Sequence, residues 1–318
     1  MYKLRRFISR LFFIIIILII LINLLVILQV HSISHLVRGA EPIEQTIPVK
    51  IKSAFLGLTV PRPETTIAPS CPYSIEKIYD NKGFLDGWLI PVQDSVKAKG
   101  IVVLFHGYLQ EKSAMLEKAY VLRDMGYDTM LMSFMGCGLS YGNQTTIGGR
   151  ESDNVKAVYD YLIREYEYDS VYLLGFSMGA VAITKAMHDY NLNVSGVILE
   201  AAYGRMFDAV NVRIRRIGLP ETPLNYVATF WLGAINGFNA FKCNPQDYAV
   251  SISAPALVLC GGKDINVTEE ETQRIFEGIK TDKKIIKIFP KAGHESYLDS
   301  YKQEWIDVMA QFLEVSST

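Results

Sequence analysis

The stretch Val171-Tyr172-Leu173-Leu174-Gly175-Phe176-Ser177-Met178-Gly179-Ala180-Val181 decides the fold. Its first four residues are mostly apolar and predict a buried strand, and apolar residues with helical spacing follow from Val181. Gly-x-Ser-x-Gly lies between the two, so the chain turns sharply where glycine permits a close backbone approach. The hydroxyl of Ser177 then projects above the end of the sheet, where it can attack an acyl carbon.

A second Gly-x-Ser-x-Gly occurs around Ser140, at residues 138–142. A strand predicted at residues 127–134 precedes it, but other residues separate that strand from the motif. Polar residues and then Gly148-Gly149 follow, which is typical of a loop and not of a helix start. We therefore predict Ser177 as the nucleophile and Ser140 as part of a glycine-rich loop beside the pocket.

Strands and helices alternate over most of the remaining chain. Apolar and β-branched runs predict strands at residues 74–79, 84–90, 100–105, 127–134, 171–174, 194–200, 256–260 and 284–289. Helices are predicted at residues 112–125, 151–166, 268–279 and 296–313. The alternation predicts an α/β fold, a mostly parallel eight-stranded sheet with helices on both faces.

Residues 203–248 interrupt this alternation. They contain a cluster of arginines, Pro220 and Pro223, and then aromatic residues around Trp231. We interpret the stretch as an insertion of short helices that forms a cap over the strand ends. The alternative is a single lengthened helix that packs between two strands.

The N-terminus predicts one membrane-spanning helix. Residues 11–30 include only two polar side chains, and a helix of this length spans about 30 Å, the thickness of a bilayer's hydrocarbon core. The basic tail at residues 1–10 favours a cytoplasmic N-terminus, with the rest of the chain across the membrane. A cleaved signal peptide is the alternative. Residues 31–70 contain repeated prolines and predict a tether to an α/β domain at residues 71–318.

A serine nucleophile needs a base, and the base needs an orienting acid. Among the five histidines only His294 follows a late strand, and Gly293 gives its backbone freedom. Asp264 follows another late strand and a glycine turn, and is the predicted acid. Its alternative role is to cap the next helix, which Asn266 or Thr268 can do instead. Glu200, at the end of the preceding strand, is the reserve acid.

Acyl transfer also needs hydrogen-bond donors for the developing oxyanion. The predicted strand at residues 100–105 ends in His106-Gly107-Tyr108, and a turn there presents backbone N–H groups. The N–H of Met178 lies at the start of a helix, where amides lack partners and the helix dipole favours negative charge. The alternative for His106-Gly107 is a simple turn that ends a strand.

Composition narrows the range of partners. The 318 residues have a net charge of −1, so nothing favours nucleic acid as a partner. The four cysteines have no zinc-binding spacing, and pairing of Cys71 with Cys243 stays open. The sequence contains no metal cluster, phosphate-binding loop or dinucleotide fingerprint, so we expect no cofactor.

These residues together resemble the α/β-hydrolase superfamily over residues 74–313, and the order Ser177, Asp264, His294 is that of the superfamily. The resemblance implies Ser177 as nucleophile, His294 as general base and acid, Asp264 as orienting carboxylate, and the N–H groups of Tyr108 and Met178 as the oxyanion hole. The chain is similar to serine aminopeptidase-like and monoacylglycerol-lipase-like members. It departs from many relatives at residues 133–140, where the acid and arginine of Asp-x-Arg-Gly-x-Gly-x-Ser are missing.

The sequence thus predicts a membrane-anchored, single-pass serine hydrolase with an extracytoplasmic catalytic domain. It would cleave a carboxylic ester or thioester of a small or lipid-like acyl substrate through an acyl-enzyme on Ser177. One alternative is a peptidase or amidase with the same three residues. Another is a catalytically silent binding module on the membrane surface. The sequence does not specify the oligomeric state.

Overall fold

One eight-stranded sheet forms the centre of the computed structural model, which describes residues 2–41, 46–93 and 97–316. The strands are β1 Ser74–Asp80, β2 Gly83–Ile90, β3 Ile101–Phe105, β4 Asp128–Met132, β5 Val171–Phe176, β6 Gly196–Glu200, β7 Ala256–Gly261 and β8 Lys284–Phe289. Their order is β1-β2-β4-β3-β5-β6-β7-β8. β2 is antiparallel to both of its neighbours, and every other pair is parallel. The predicted fold class is confirmed.

The helices lie between the strands and at the N-terminus. They are α1 Tyr2–Ser34, α2 Ile47–Leu56, α3 Leu116–Asp124, α4 Glu151–Glu165, α5 Met178–Tyr190, α6 Met206–Arg216, α7 Leu224–Asn236, α8 Pro245–Tyr248, α9 Glu269–Gly278, α10 Tyr297–Ser300 and α11 Lys302–Ser316. Short 3-10 turns occupy Lys112–Met115, Ala240–Lys242 and Ala249–Ser251. The helix predicted at residues 296–313 is therefore two helices, because Tyr301 has a non-helical backbone. Asp299 and Ser300, which favour turns, precede this break.

Side chains that alternate along each strand build two apolar layers. On β3, Val103 and Phe105 pack on one face in the same cluster as residues of α4 and α5. Val102 and Leu104 pack on the other face, with residues of α3 and α11. Because all of β3 is buried, its sequence is a continuous apolar run.

The strand order places two loops side by side. β3 lies between β4 and β5 and is parallel to both. The loops that follow β3 and β5 therefore begin next to each other, at the carboxyl ends of the strands. In open parallel sheets, the crevice at such a reversal of strand order binds ligands. Tyr108 follows β3 and Ser177 follows β5, so both lie at this crevice.

α1 is the one helix within the described residues that is long and apolar enough to cross a membrane. None of its most apolar 18-residue window is buried by the rest of the chain. The helix is longer than the span predicted at residues 11–30, because it begins at Tyr2 and continues to Ser34. By length and composition, this helix fits either a membrane span or a signal sequence.

Part of the segment predicted as a tether packs on the α/β domain. The N–H of Leu36 donates to the carbonyl of Asn143, and Leu36 is almost fully buried. Arg62 is also buried, and its guanidinium donates to carbonyl oxygens of the glycine-rich loop, among them those of Cys137 and Gly138. These contacts hold the end of α1 directly against the domain.

Candidate active site

The turn between β5 and α5 holds Ser177 in a strained conformation. Its φ is +51°, in a region that non-glycine residues rarely occupy. A Cβ on Gly175 would lie 2.4 Å from the nitrogen of Ala180, and one on Gly179 would lie 2.3 Å from the carbonyl oxygen of Phe105. Both positions therefore require glycine. The N–H of Ser177 donates to the carbonyl of Glu200 at 2.7 Å, which fixes the turn to β6.

Ser177, His294 and Asp264 form one hydrogen-bonded chain. His294 Nε2 lies 2.9 Å from Ser177 Oγ, and His294 Nδ1 lies 2.7 Å from Asp264 Oδ2. The carboxylate can only accept, so Nδ1 carries the proton and Nε2 is free to accept the serine hydroxyl. The structure thus brings together the three side chains that the sequence singled out, although their catalytic roles stay a prediction.

Backbone hydrogen bonds between two loops set this geometry. The N–H of Gly262 donates to the carbonyl of Phe289, and the N–H of Lys263 donates to that of Ala292, each at 2.9 Å. The loop after β7 is thereby joined to the loop after β8. The distance from Asp264 to His294 depends on these contacts and not on long flexible side chains.

Asp264 has a second set of partners. Its Oδ1 accepts the N–H groups of Asn266 and Val267, at 2.7 and 3.0 Å. The cap of α9 is formed by Thr268 and Glu271, each of whose side chains accepts a backbone N–H of the other. Asp264 therefore does not cap this helix, and its Oδ2 is free to orient the imidazole.

Tyr108 and Met178 present backbone N–H groups at the crevice. Over the described residues, neither N–H donates to another protein group. The N–H of Gly107, in contrast, is taken by Gln110 Oε1 at 2.9 Å. Met178 is the first residue of α5, so its amide has no earlier carbonyl within the helix. Both predicted donors are thus available for an anionic oxygen.

Ser140 occupies a different environment from Ser177. It is 1% exposed, its Oγ donates to the carbonyl of Ser133 at 2.7 Å, and it accepts the N–H of Asp86 at 2.9 Å. Both capacities of this hydroxyl are used within the protein. The carboxylate of Asp86 pairs with buried Lys112, so this buried cluster stabilises the glycine-rich loop.

We expect Ser140→Ala to destabilise the fold and to leave catalysis nearly intact. The substitution leaves a buried N–H and a buried carbonyl without their partner, which costs about 1–3 kcal/mol. Urea unfolding measures the loss, and hydrolysis of an aryl ester by the folded variant measures the activity. A fall in activity comparable with that of a Ser177 variant, without destabilisation, would contradict this assignment.

His106 is buried and neutral. Its Nε2 accepts the N–H of Phe134 at 3.0 Å, so Nδ1 carries the proton and donates to the carbonyl of Gly107 at 2.8 Å. Burial lowers the pKa of His106 from 6.5 to about 4. His106 therefore supports the turn before Tyr108 and is not available as the base.

This lowered pKa predicts a loss of stability in acid. The unfolded chain binds a proton at His106 below about pH 6.5, whereas the folded chain binds it only near pH 4, so stability falls as the pH falls between these values. The predicted loss is roughly 3 kcal/mol. His106→Gln retains a donor and an acceptor but does not titrate. Urea unfolding from pH 7 to 4 should give a flatter dependence for this variant, and equal slopes would refute the prediction.

The reserve acid, Glu200, is committed elsewhere. Its carboxylate pairs with Lys118 and accepts Trp305 Nε1 at 2.5 Å, and all three side chains are buried. The Lys118 ammonium lies 5.1 Å from the centre of the Phe176 ring, and that ring lies 5.4 Å from the ring of His294. This cluster lies beneath the nucleophile turn. Sequence reasoning did not find it, because Lys118 on α3 has the pattern of a surface residue.

The insertion between β6 and β7 consists of several short helices and reaches the crevice. The guanidinium of Arg213 on α6 lies 5.9 Å from the ring centre of Tyr108. The ring hydroxyl of Tyr108 in turn donates to the carbonyl of Ile33, in the last turn of α1. Both the insertion and the end of α1 therefore contact Tyr108 at the crevice.

The four cysteines are not part of the hydrogen-bonded chain of the site. All four cysteines are free, and Cys71 and Cys243 do not form a disulfide. Within the described part of the chain, no group of three or more His, Cys, Asp or Glu side chains could hold a metal ion.

The sheet order, the turn at Ser177 and the position of His294 define the class: the chain has the α/β-hydrolase fold. Residues 96–219 match the family described as serine aminopeptidase, S33. The uncharacterized protein YqkD of Bacillus subtilis is 22% identical over 216 residues, which cover 67% of this chain and 70% of YqkD.

Solved structures show the same fold. An esterase of Pyrococcus furiosus, Pf2001, is 22% identical with a TM-score of 0.67, and the match covers 80% of this chain and 96% of the esterase. Est1E of Butyrivibrio proteoclasticus, solved with ferulic acid bound, is 16% identical with a TM-score of 0.57, and the match covers 75% and 99% of the two chains. The predicted resemblance to the superfamily is confirmed.

Proposed function

We propose that this protein is a membrane-anchored serine hydrolase that cleaves carboxylic esters or thioesters through an acyl-enzyme on Ser177. The observation that carries the proposal is the hydrogen-bonded chain from Ser177 Oγ through His294 to Asp264. The unpaired N–H groups of Tyr108 and Met178 support it, since acyl transfer needs such donors. The structural similarity to an esterase agrees with the same chemistry.

The proposed reaction has two halves. Ser177 Oγ attacks the acyl carbon while His294 Nε2 takes the hydroxyl proton, and the carbonyl oxygen becomes an oxyanion near the N–H groups of Tyr108 and Met178. The imidazolium, stabilised by Asp264, then gives its proton to the leaving alcohol or thiol. In the second half, water attacks the acyl-enzyme, His294 takes its proton, and Ser177 regains a proton as the acid leaves.

The membrane anchor in this proposal is α1. Its exposed apolar surface and the basic tail before it support a single span with a cytoplasmic N-terminus and an extracytoplasmic domain. An anchored site favours a lipid-like acyl substrate, because such substrates concentrate in the bilayer beside the domain.

Amide hydrolysis by the same residues is the second candidate, and one observation favours it. The matched family is described as a serine aminopeptidase. Ester and amide hydrolysis share the nucleophile, base and oxyanion donors, so the two functions differ in the leaving group that the pocket accepts.

A substrate panel tests the proposal. Purified full-length protein in detergent is assayed with aryl esters of graded acyl length, acyl thioesters and aminoacyl amides, with Ser177→Ala as the matched control. We expect esters or thioesters to be cleaved with the highest kcat/KM. Faster cleavage of the aminoacyl amides would transfer the conclusion to the second candidate, and no cleavage of any member would reject both.

A further inference from the structure

The helix α7, part of the insertion between β6 and β7, packs against the C-terminal half of α1. Trp231 Nε1 on α7 donates to Asn23 Oδ1 on α1 at 2.9 Å. Val30 of α1 belongs to a buried apolar cluster, and Val26 of α1 packs against the same cluster as Ala228 and Trp231 of α7. Residues 2–22 of α1 are exposed almost throughout, and its burial by the domain begins at Asn23.

The length of α1 fixes the depth of this contact. The apolar run at residues 11–30 follows the last basic residue of the tail, Arg10, and ends before His31. Twenty residues at 1.5 Å each span about 30 Å, so the whole run is needed to cross the hydrocarbon core. The part from Asn23 to Val30 covers about 12 Å of that thickness. A helix packed against this part must lie within the outer leaflet.

The composition of α7 agrees with that depth. Residues 224–236 contain no charged side chain. Tyr226 is 56% exposed and Phe230 is 55% exposed. Large apolar side chains exposed on a protein surface mark an interaction site, and the helix that carries these two contacts α1, whose apolar surface is also exposed.

The polar group at this contact is the side-chain amide of Asn23, and it has the hydrogen-bond partners that a polar group needs in lipid. Asn23 Nδ2 donates to the carbonyl of Ile19 at 2.9 Å, and Asn23 Oδ1 accepts Trp231 Nε1. A polar side chain in hydrocarbon has no water to bind and needs partners inside the protein. Both ends of the Asn23 amide have one.

We infer that α7 lies in the outer leaflet of the bilayer beside α1, so that the cap is a membrane-embedded surface whose partner is lipid hydrocarbon. This inference rests on the proposed anchoring by α1. The domain is then held at a fixed depth and is not suspended on a tether. Because Tyr108 is bonded to Ile33 at the end of α1, the crevice lies at the level where the span ends.

Depth-dependent quenching of Trp231 tests the inference. Full-length protein is reconstituted in phosphatidylcholine vesicles, and Trp231→Phe supplies the background from Trp88 and Trp305, which are buried in the domain. We expect lipids brominated on the acyl chains to remove most of the emission that Trp231 contributes, and aqueous acrylamide to remove little of it. Strong quenching by acrylamide with none by brominated lipid would overturn the inference.

Three controls test the lipid contact and separate this result from the proposed function. Phe230→Asp should increase quenching of Trp231 by acrylamide, whereas Ile163→Asp, at a residue 54% exposed on α4, should not; equal effects would count against a lipid-facing α7. Flotation of the vesicles reports anchoring, and protein that does not float rejects both the anchor and the inference. Protein that floats with acrylamide-accessible Trp231 rejects only the inference. Ser177→Ala should leave quenching unchanged, so loss of hydrolysis does not affect this test.

Discussion

Ser177→Ala is expected to lower kcat for a soluble aryl ester by about 10⁴-fold or more while the fold stays intact. The hydroxyl is the atom that forms the acyl-enzyme, and His294 and Asp264 have no other nucleophile to activate in this chain of hydrogen bonds. Steady-state kinetics measures the loss. Urea unfolding checks the fold, and a change of less than about 1 kcal/mol is expected because, among the residues that the structure describes, Ser177 Oγ bonds only to His294.

Ser140→Ala is the matched control for this experiment, since it removes the same atom from the other Gly-x-Ser-x-Gly motif. Turnover by the Ser177 variant near that of the native protein would remove the basis of the proposed mechanism. A loss that occurs only because the variant unfolds would show up in the urea experiment and in a changed circular dichroism spectrum.

Glu200→Ala is expected to destabilise the protein by about 3–5 kcal/mol, the second large effect. It leaves the Lys118 ammonium buried without a counterion, and Trp305 Nε1 without an acceptor. Lys118 and Glu200 have side chains that are 3% and 0% exposed, so the uncompensated ammonium would stay away from bulk water. Chemical denaturation measures the free energy of unfolding.

Two further variants isolate the cause. Lys118→Met combined with Glu200→Gln should recover much of the loss, because no charge is buried and the glutamine carbonyl still accepts Trp305 Nε1. Glu165→Ala removes one partner of an ion pair whose side chains are 66% and 47% exposed, and should cost less than about 1 kcal/mol. If Glu200→Ala cost no more than Glu165→Ala, the buried pair would not stabilise the fold as argued.

The sheet could be predicted from the sequence because its strands are short apolar runs separated by helical patterns. β5 and β7 follow that pattern closely, and each is buried along its whole length. The ends of strands also indicated where polar side chains would meet, which is how Asp264 and His294 were found. The loops that follow parallel strands lie at the same end of the sheet. A residue's position just after a strand is therefore enough to predict that it lies at this end.

The contacts of α1 could not be predicted in the same way. Its apolar residues surround the whole helix, so no stripe indicates which face meets α7. The bond from Trp231 to Asn23 joins residues 208 positions apart, a pairing that local patterns do not contain. Likewise, the prolines at residues 31–70 indicate irregular chain but do not say that Arg62 is buried against the glycine-rich loop.

Reaction with a fluorophosphonate tests the central claim most directly. The reagent phosphonylates a serine whose hydroxyl is activated by a base, and peptide mass spectrometry of the full-length protein identifies the modified residue. We predict a single adduct on Ser177, lost in Ser177→Ala and greatly slowed in His294→Ala. An adduct on Ser140, or labelling of Ser177 at the same rate without His294, would contradict the account.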